Sequence, residues 1–167
     1  MLDCDAIYHE LLKTDAGLLS AINARFPGVV EGGSLNRKKL GGIVFGDEKA
    51  LTDLNAITHK AVKAEVTRRI PEAPTLVAID AIALFESGLA ELCHVTVAVT
   101  APAEDRVKRL MIRDGISEAY ARARIAAQHE ESWFRERCDH VLSNDADYQS
   151  FQSKCLAFLE IVAIMST

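Results

Sequence analysis

Two apolar runs constrain the fold of this chain more than any other feature. The first, 75–80, has the sequence Thr-Leu-Val-Ala-Ile-Asp, and the second, 94–100, has the sequence His-Val-Thr-Val-Ala-Val-Thr. Runs that are continuously apolar, and do not alternate with polar residues, are typical of strands buried on both faces of a parallel sheet. We therefore expect both runs to be interior strands that are covered on both faces.

Helical periodicity marks most of the remaining chain. Apolar residues recur every three or four positions in 6–26, where the period breaks near Gly17, and in 47–70, which Pro71 and Pro74 end. The first of these segments predicts one broken helix or two. The other predicted elements are helices at 36–45, 102–113, from 117 through 127 or as far as 137, and 148–165, a short strand at 139–144, and loops at 27–28 and 31–34. Strands that alternate with helices predict the α/β class with a parallel sheet.

The composition narrows the class of protein. The 167 residues are 49% hydrophobic and 26% charged, which is too apolar for a disordered chain and sufficient for a domain with its own core. A formal net charge of −5 argues against general nucleic-acid binding. No apolar stretch approaches the roughly 18 residues of a membrane span, and the amino terminus lacks a signal-sequence pattern. We therefore expect a single domain over 1–167, soluble and cytoplasmic, with no nucleic-acid or membrane partner.

Three carboxylates lie where ligands bind in parallel sheets, beyond the carboxyl ends of the strands. Asp80 is the last residue of the first apolar run. At this strand end its carboxylate can hold a magnesium ion through water or cap a turn. Asp3 and Asp5 lie two residues apart before the first helix. There they can orient a hydroxyl nucleophile and take its proton, or cap the helix. The residues alone leave these alternatives open.

Arginines concentrate in the second half of the chain. Arg106, Arg109 and Arg113 are spaced i, i+3 and i+7, so they share one face of the predicted helix. Four more follow: Arg122, Arg124, Arg135 and Arg137. Guanidinium groups suit the phosphates and base of a nucleotide. They can equally pair with glutamates on a solvated face, and the neighbouring glutamates are Glu104, Glu118, Glu130 and Glu131. His59 likewise can bind a phosphate or be a surface histidine.

Several short motifs occur in a fixed order along the chain. They are 2–6 (Leu-Asp-Cys-Asp-Ala) with His9, 35–40 (Leu-Asn-Arg-Lys-Lys-Leu), 54–59 (Leu-Asn-Ala-Ile-Thr-His), Asp80 with 84–89 (Leu-Phe-Glu-Ser-Gly-Leu), 109–114 (Arg-Leu-Met-Ile-Arg-Asp), Gln128 and 141–144 (Val-Leu-Ser-Asn). Together they resemble the motifs of the dephospho-coenzyme A (dephospho-CoA) kinase family almost from end to end. The resemblance implies ATP-dependent phosphorylation of the ribose 3′-hydroxyl of dephospho-CoA, the last step of coenzyme A synthesis. It also implies a P-loop kinase-like fold, a three-layer αβα arrangement with a parallel sheet.

The resemblance assigns roles to individual residues. Asp5, with Asp3 beside it, matches the carboxylate that activates the acceptor hydroxyl, and Asp80 matches a Mg²⁺ site. The acceptor region corresponds to the helices in 14–70, and an arginine-rich lid corresponds to 106–137. The residues implied in binding dephospho-CoA are Arg37, Asn55, His59 and Glu86. The residues implied in binding ATP are Arg109, Arg113 and Asn144.

The sequence departs from the family pattern in three places. Lys60 stands where the family usually has proline, and Ile82-Ala83 replace Pro-Leu, so the loop before Leu84 can follow a different path. The third departure is larger, because the 167 residues contain no G-x-x-x-x-G-K-[ST] phosphate loop. We expect the first strand and this loop, a unit of roughly 30 residues, to be missing from the chain.

Three hypotheses follow from the missing loop. The chain is a kinase whose true start lies upstream, a short product that binds coenzyme A or nucleotide without catalysis, or part of a split enzyme that needs a second chain. We favour the first, and we expect the 167-residue chain itself to be weakly active or inactive.

Overall fold

The computed structural model describes residues 1–74 and 76–165, so Thr75, at the start of the first predicted strand, lies outside the described residues. The chain divides into two units, Met1–Leu92 and Cys93–Thr167. Within the described ranges, no helix is both long enough and apolar enough to cross a membrane. The expectation of one domain over 1–167 stays a prediction.

The first unit is mainly helical. Its elements are β1 (Leu2–Asp3), α1 (Cys4–Thr14), α2 (Ala16–Arg25), β2 (Val30–Glu31), β3 (Ser34–Leu35), α3 (Arg37–Val44), α4 (Glu48–Arg69) and β4 (Ile79–Asp80), with short 3₁₀ turns at Ile70–Glu72 and Leu89–Leu92. The segment 6–26 is thus two helices, and the break falls at Asp15, two residues before Gly17. The predicted helices at 36–45 and 47–70 are confirmed.

Side-chain caps explain where the helices of the first unit begin. Each cap accepts a hydrogen bond from the backbone N–H three residues further on, which satisfies one of the free donors of the first turn. The four caps and their distances are Asp3 to Ala6 N (2.9 Å), Asp15 to Leu18 N (3.0 Å), Asn36 to Lys39 N (3.0 Å) and Asp47 to Ala50 N (2.9 Å). Asp3 therefore does act as a helix cap, one of the two roles left open for it.

The core of the first unit lies where α1 and α2 pack against α4. Its largest fully buried side chains come from α2, the loop after it, α4 and the last 3₁₀ turn: Ile22, Phe26, Val29, Val66 and Leu89. The apolar faces predicted from the periodicity of 6–26 and 47–70 are the faces buried here, except that Leu51, in the first turn of α4, is 44% exposed. This packing fixes α1, and with it Asp5, against the middle of α4.

A parallel strand pair and a small hairpin complete the first unit. β1 pairs with β4 in register Leu2↔Ile79 and Asp3↔Asp80, and the Leu2 N–H donates to Ala78 O at 2.7 Å. β2 and β3 pair antiparallel through a turn at Gly32 and Gly33, whose φ values of 57° and 77° favour glycine. The loop predicted at 31–34 is therefore a β-hairpin. Its strands, of two residues each, are too short to produce an alternating pattern.

The second unit contains β5 (Val97–Thr100), α5 (Ala103–Asp114), α6 (Glu118–Ala126), α7 (Glu131–Arg135), β6 (His140–Ser143) and α8 (Tyr148–Met165). β5 and β6 pair parallel in register from Val97↔His140 to Thr100↔Ser143. Gly115 ends α5 with a φ of 64°, and Ser117 caps α6 by accepting from Tyr120 N at 3.3 Å. The helix after Ser117 does not continue to 137, because α6 ends at Ala126 and α7 is a separate turn.

One expectation about the strands is wrong. Both apolar runs were expected to be buried on both faces, but Leu76 is 60% exposed and Val99 is 59% exposed. Regular pairing is also shorter than predicted, two residues in the first run and four in the second. In the described ranges each of these strands pairs with a single neighbour. A two-stranded ribbon packs one face on the core and leaves part of the other open. The mixed α/β class with parallel strands is confirmed.

Candidate active site

Asp3 and Asp80 mark the carboxyl ends of two neighbouring parallel strands. They are direct register partners, and both residues are exposed. Since directly paired residues of neighbouring strands point to the same face, the two carboxylates share one face at the edge where ligands of parallel sheets bind. One oxygen of Asp3 caps α1, which leaves the other available to a ligand.

Asp5 lies in the first turn of α1, beside a cavity of about 160 Å³. The partial positive charge of a helix amino terminus stabilises a carboxylate in this position. The cavity lies entirely within the first unit. Its lining residues are Cys4, Asp5, Tyr8, Thr58, His59, Val62, Ala81, Ile82, Ala83, Ser87 and Leu89. A carboxylate at the edge of a small cavity, two residues from a strand end, can accept a proton from a bound hydroxyl.

Two of the residues implied in acceptor binding lie near Asp5. His59, half-buried on α4, lines the same cavity. Arg37, the first residue of α3, has its Nη2 3.1 Å from His9 Nδ1, and His9 lies one helical turn after Asp5 on α1. Asn55, on α4, and Glu86, in the turn before Leu89, are exposed and are not among the residues that line this cavity. Their roles stay predictions.

Three polar side chains that the sequence analysis gave no role also line the cavity: Tyr8, Thr58 and Ser87. Thr58 and Ser87 lie within the motifs at 54–59 and 84–89. Tyr8 follows Asp5 by three positions, so the helical spacing of α1 could have placed the two on one face. Burial raises the pKa of the Tyr8 hydroxyl, an effect that the Arg37 guanidinium partly opposes. Tyr8 therefore stays a neutral phenol near neutral pH.

The carboxylate oxygens at the strand ends fit a magnesium ion by their chemistry. In the described part of the chain, no three or more His, Cys, Asp or Glu side chains form a group that could hold a metal ion. Mg²⁺ does not need such a group, because it usually keeps several waters and binds through one or two carboxylates plus the phosphates of its substrate. Asp80, with Asp3 as its register partner, meets that requirement.

Most of the arginines in the second unit are paired with acidic side chains. Arg122 binds Glu104 through two hydrogen bonds of 2.8 Å and also contacts Glu118. The other pairs are Arg113 with Asp114 (2.7 Å), Arg124 with Asp114 (2.6 Å), Arg135 with Glu131, and Arg137 with Glu136 (3.5 Å). Arg113 and then Arg124 lower the pKa of Asp114 to about 2. Five of the seven arginines are therefore paired with acidic side chains, and two of them, Arg122 and Arg135, pair with glutamates that the sequence indicated as partners.

Arg106 and Arg109 differ from the rest of the cluster. Neither forms an ion pair with a carboxylate of the residues that the structure describes. Arg106 donates to the side-chain oxygen of Gln128. Arg109 donates to the backbone oxygen of Asn144 at 3.1 Å and lies 3.5 Å from its side-chain oxygen. The structure thus brings Arg109 and Asn144 together, whereas it places Arg113 against Asp114. The roles of all three in ATP binding stay predictions.

Comparisons with known proteins agree with these features. The dephospho-CoA kinase family model matches residues 1–150. The chain is 36% identical to the dephospho-CoA kinase of Moorella thermoacetica over 166 residues, covering 94% of this chain and 77% of that protein. It is 37% identical to the dephospho-CoA kinase of Thermus thermophilus over 161 residues, with coverages of 95% and 77%.

Solved structures agree as well. A Thermus thermophilus structure matches with a TM-score of 0.77 at 32% identity, covering 95% of this chain and 82% of that chain. The dephospho-CoA kinase of Campylobacter jejuni matches in fold, with a TM-score of 0.67 at 24% identity and coverages of 99% and 86%.

The parallel strand ends with their carboxylates, together with these matches, define a P-loop kinase-like phosphotransferase. Within this class, the chain belongs to the dephospho-CoA kinase family. The activity of that family is the last step of coenzyme A biosynthesis, in which a nucleotide phosphorylates dephospho-CoA.

Proposed function

We propose that Asp5 is the base that takes the proton of the ribose 3′-hydroxyl when this chain phosphorylates dephospho-CoA with ATP. The observation that carries the proposal is the position of Asp5, beside a cavity and two residues beyond the strand end at Asp3, which pairs with Asp80. General-base catalysis of this kind contributes about 10²- to 10⁴-fold to a rate. Asp3 supports Asp5 by capping α1 and holding its first turn in place.

The acceptor binds to the first unit in this proposal. His59 lines the cavity next to Asp5, and Arg37 lies at the start of α3 beside His9. The cationic Arg37 suits the diphosphate group of dephospho-CoA, because guanidinium binds phosphate oxygens in a forked geometry. Asn55 and Glu86 complete the predicted acceptor residues.

Asp80, with Asp3, would hold Mg²⁺. When bound, the ion neutralises charge on the phosphate groups and orients them. The oxygen donors at the ends of β1 and β4 support this assignment, since Mg²⁺ prefers carboxylate oxygen, water and phosphate as ligands.

Arg109, Asn144 and Arg113 are the residues that we propose for ATP. Support is strongest for Arg109, whose charge is not neutralised by an ion pair in the described ranges and which already contacts Asn144. Arg113 has to break its ion pair with Asp114, or bind both Asp114 and a phosphate at once, before it can contribute to ATP binding.

We also propose that the 167-residue chain transfers phosphate slowly. Its sequence contains no G-x-x-x-x-G-K-[ST], the loop whose backbone N–H groups and lysine hold the β- and γ-phosphates in P-loop enzymes. The acceptor residues do not depend on that loop, so we expect dephospho-CoA binding to persist.

The test is transfer of radiolabelled γ-phosphate to dephospho-CoA over long incubations, with the wild-type chain and Asp5→Asn. We expect the slow transfer of the wild type to fall by about 100-fold or more in Asp5→Asn. Glu48→Gln, which changes an exposed carboxylate in the first turn of α4, is the matched control and should keep the wild-type rate. Equal rates for Asp5→Asn and the wild type would refute the role of Asp5.

A further inference from the structure

The cavity beside Asp5 has an aromatic wall that the proposed roles do not use. The Tyr8 ring lines it together with five small or apolar residues, Val62, Ala81, Ile82, Ala83 and Leu89. Apolar walls with a few polar groups are typical of sites for flat organic rings.

The volume of the cavity limits the ligand to one ring system. At about 160 Å³ it is well below the roughly 300–1,000 Å³ of sites that enclose a whole drug-sized ligand. Dephospho-CoA is larger than that. A cavity of this size can enclose one ring system of the acceptor, while the rest of the molecule lies outside it.

The polar groups of the cavity specify the hydrogen bonds that the ring must make. The Thr58 hydroxyl donates to Leu54 O at 3.0 Å, and the Ser87 hydroxyl donates to Ala83 O at 2.6 Å. Because each hydroxyl has a single proton, both oxygens can only accept a bond from a ligand. The Tyr8 hydroxyl makes no hydrogen bond to any group in the described part of the chain, so it can donate or accept. A ring with an exocyclic amine and ring-nitrogen acceptors matches this set.

The position of the cavity relative to Asp5 selects the ring. Asp5 and Tyr8 are spaced i, i+3 on α1 and therefore lie on one face of the helix. The hydroxyl that Asp5 would activate is on the ribose, and the same ribose carries the adenine base. With the hydroxyl at Asp5, the base is one sugar ring away and can enter the cavity.

We propose that this cavity holds the adenine base of the acceptor, with Tyr8 as a specificity-determining residue that packs against the base. The proposal rests on the proposed binding of dephospho-CoA beside Asp5 and names the part of the substrate that this site selects. It concerns the acceptor and is separate from the ATP residues of the second unit.

The test compares two acceptors by titration calorimetry on the full chain: dephospho-CoA and its analogue with uracil in place of adenine. We expect the wild type to bind dephospho-CoA about tenfold or more tightly than the analogue, and Tyr8→Leu to lose most of this preference. Tyr8→Phe keeps the ring and loses only the hydroxyl, so its preference should lie between those of the wild type and Tyr8→Leu. Tyr148→Leu, at an exposed tyrosine of α8, is the matched control and should bind both acceptors as the wild type does.

Crosslinking provides a second measurement that does not depend on the folding of a variant. An azido-adenine analogue of dephospho-CoA, irradiated with the wild-type chain, should label peptides that contain Tyr8 or 81–89. Labelling confined to other peptides would overturn the proposal, and so would an unchanged preference in a Tyr8→Leu variant with the wild-type circular dichroism spectrum. If the wild type binds neither acceptor, the proposed binding of dephospho-CoA beside Asp5 fails as well.

Discussion

Asp3 and Asp80 face one another across two parallel strands, as register partners at the point where each strand ends. Their sequence separation is large, yet the pairing of β1 with β4 places both carboxylates on one face of the strand pair. Asp5 follows Asp3 by two residues, in the first turn of α1 beside the cavity. The proposed catalytic mechanism requires this arrangement of three carboxylates around two strand ends.

The first prediction concerns magnesium. Asp80→Asn should raise the Mg²⁺ concentration needed for half-maximal transfer by about tenfold or more, because an amide oxygen carries no charge to hold the ion. The measurement is the rate of phosphate transfer as a function of Mg²⁺ at fixed ATP. Glu48→Gln, an exposed carboxylate in the first turn of α4, is the control and should leave the curve unchanged. An unchanged curve for Asp80→Asn would remove Asp80 from the metal site.

The second prediction distinguishes Arg109 from the paired arginines. Arg109→Ala should weaken ATP binding by about tenfold, because a hydrogen bond to a charged group contributes roughly 1.5–3 kcal/mol. Arg122→Ala should leave ATP binding unchanged, since Glu104 and Glu118 already hold that guanidinium. Equilibrium binding of a fluorescent ATP analogue measures both variants. Equal effects of the two substitutions would contradict a specific role for Arg109.

The third prediction concerns the pH dependence of stability. Arg68 and then Arg69 lower the pKa of Glu65 to about 2 in the folded chain, below the usual glutamate value of about 4.3. The folded state therefore gains stability from the ionised carboxylate above about pH 4, and the gain is lost as the pH falls towards 2. Glu65→Gln should melt at a lower temperature than the wild type at pH 6.

Thermal melts of wild type and Glu65→Gln at several pH values between 2 and 6 check this. The difference between their melting temperatures should shrink steadily towards the acid end. Glu160→Gln on α8 is the control, because no carboxylate–guanidinium pair involves Glu160 in the described ranges. A difference that stays constant with pH would mean that the Glu65 pairs do not produce the effect.

The fourth prediction concerns the core of the first unit. Ile22 is fully buried where α2 packs against α4, so Ile22→Ala should lower the free energy of unfolding by about 2–5 kcal/mol. Ile112, which is 86% exposed on α5, provides the same substitution on the surface, and Ile112→Ala should change stability by less than about 0.5 kcal/mol. Urea denaturation followed by circular dichroism measures both. Similar losses in the two variants would contradict the assigned core.

Most of the helices could be predicted because their signals are local. Apolar periodicity, proline and glycine stops, and capping side chains lie within a few residues of the helix ends they determine. The helix predicted at 148–165 agrees with α8 at both ends, and the one predicted at 47–70 begins at its Asp47 cap. The position of Asp80 at a strand end was also accessible, because Asp80 closes the first apolar run. The strand that ends at Asp3 has only two residues, so no apolar run marks it in the sequence.

The features that could not be predicted depend on partners distant in sequence. An apolar run does not reveal how many strands flank it, so the exposure of Leu76 and Val99 was missed. The role of Tyr8 in lining the cavity depends on α4 and the 81–89 segment as well as on α1. The partner of Arg113 was missed for a different reason: glutamates were weighed as partners of the arginines, while the adjacent Asp114 was not.

The rate and product of the reaction with ATP, Mg²⁺ and dephospho-CoA test the central claim most directly. Mass spectrometry of the acceptor after incubation with the wild-type chain should detect coenzyme A, phosphorylated on the ribose 3′-hydroxyl. Its rate of formation should be well below the roughly 1–100 s⁻¹ of typical kinases, and Asp5→Asn should form about 100-fold less product, or less still, over the same period. Conversion of ATP to ADP without any coenzyme A, or equal product with Asp5→Asn, would contradict the account.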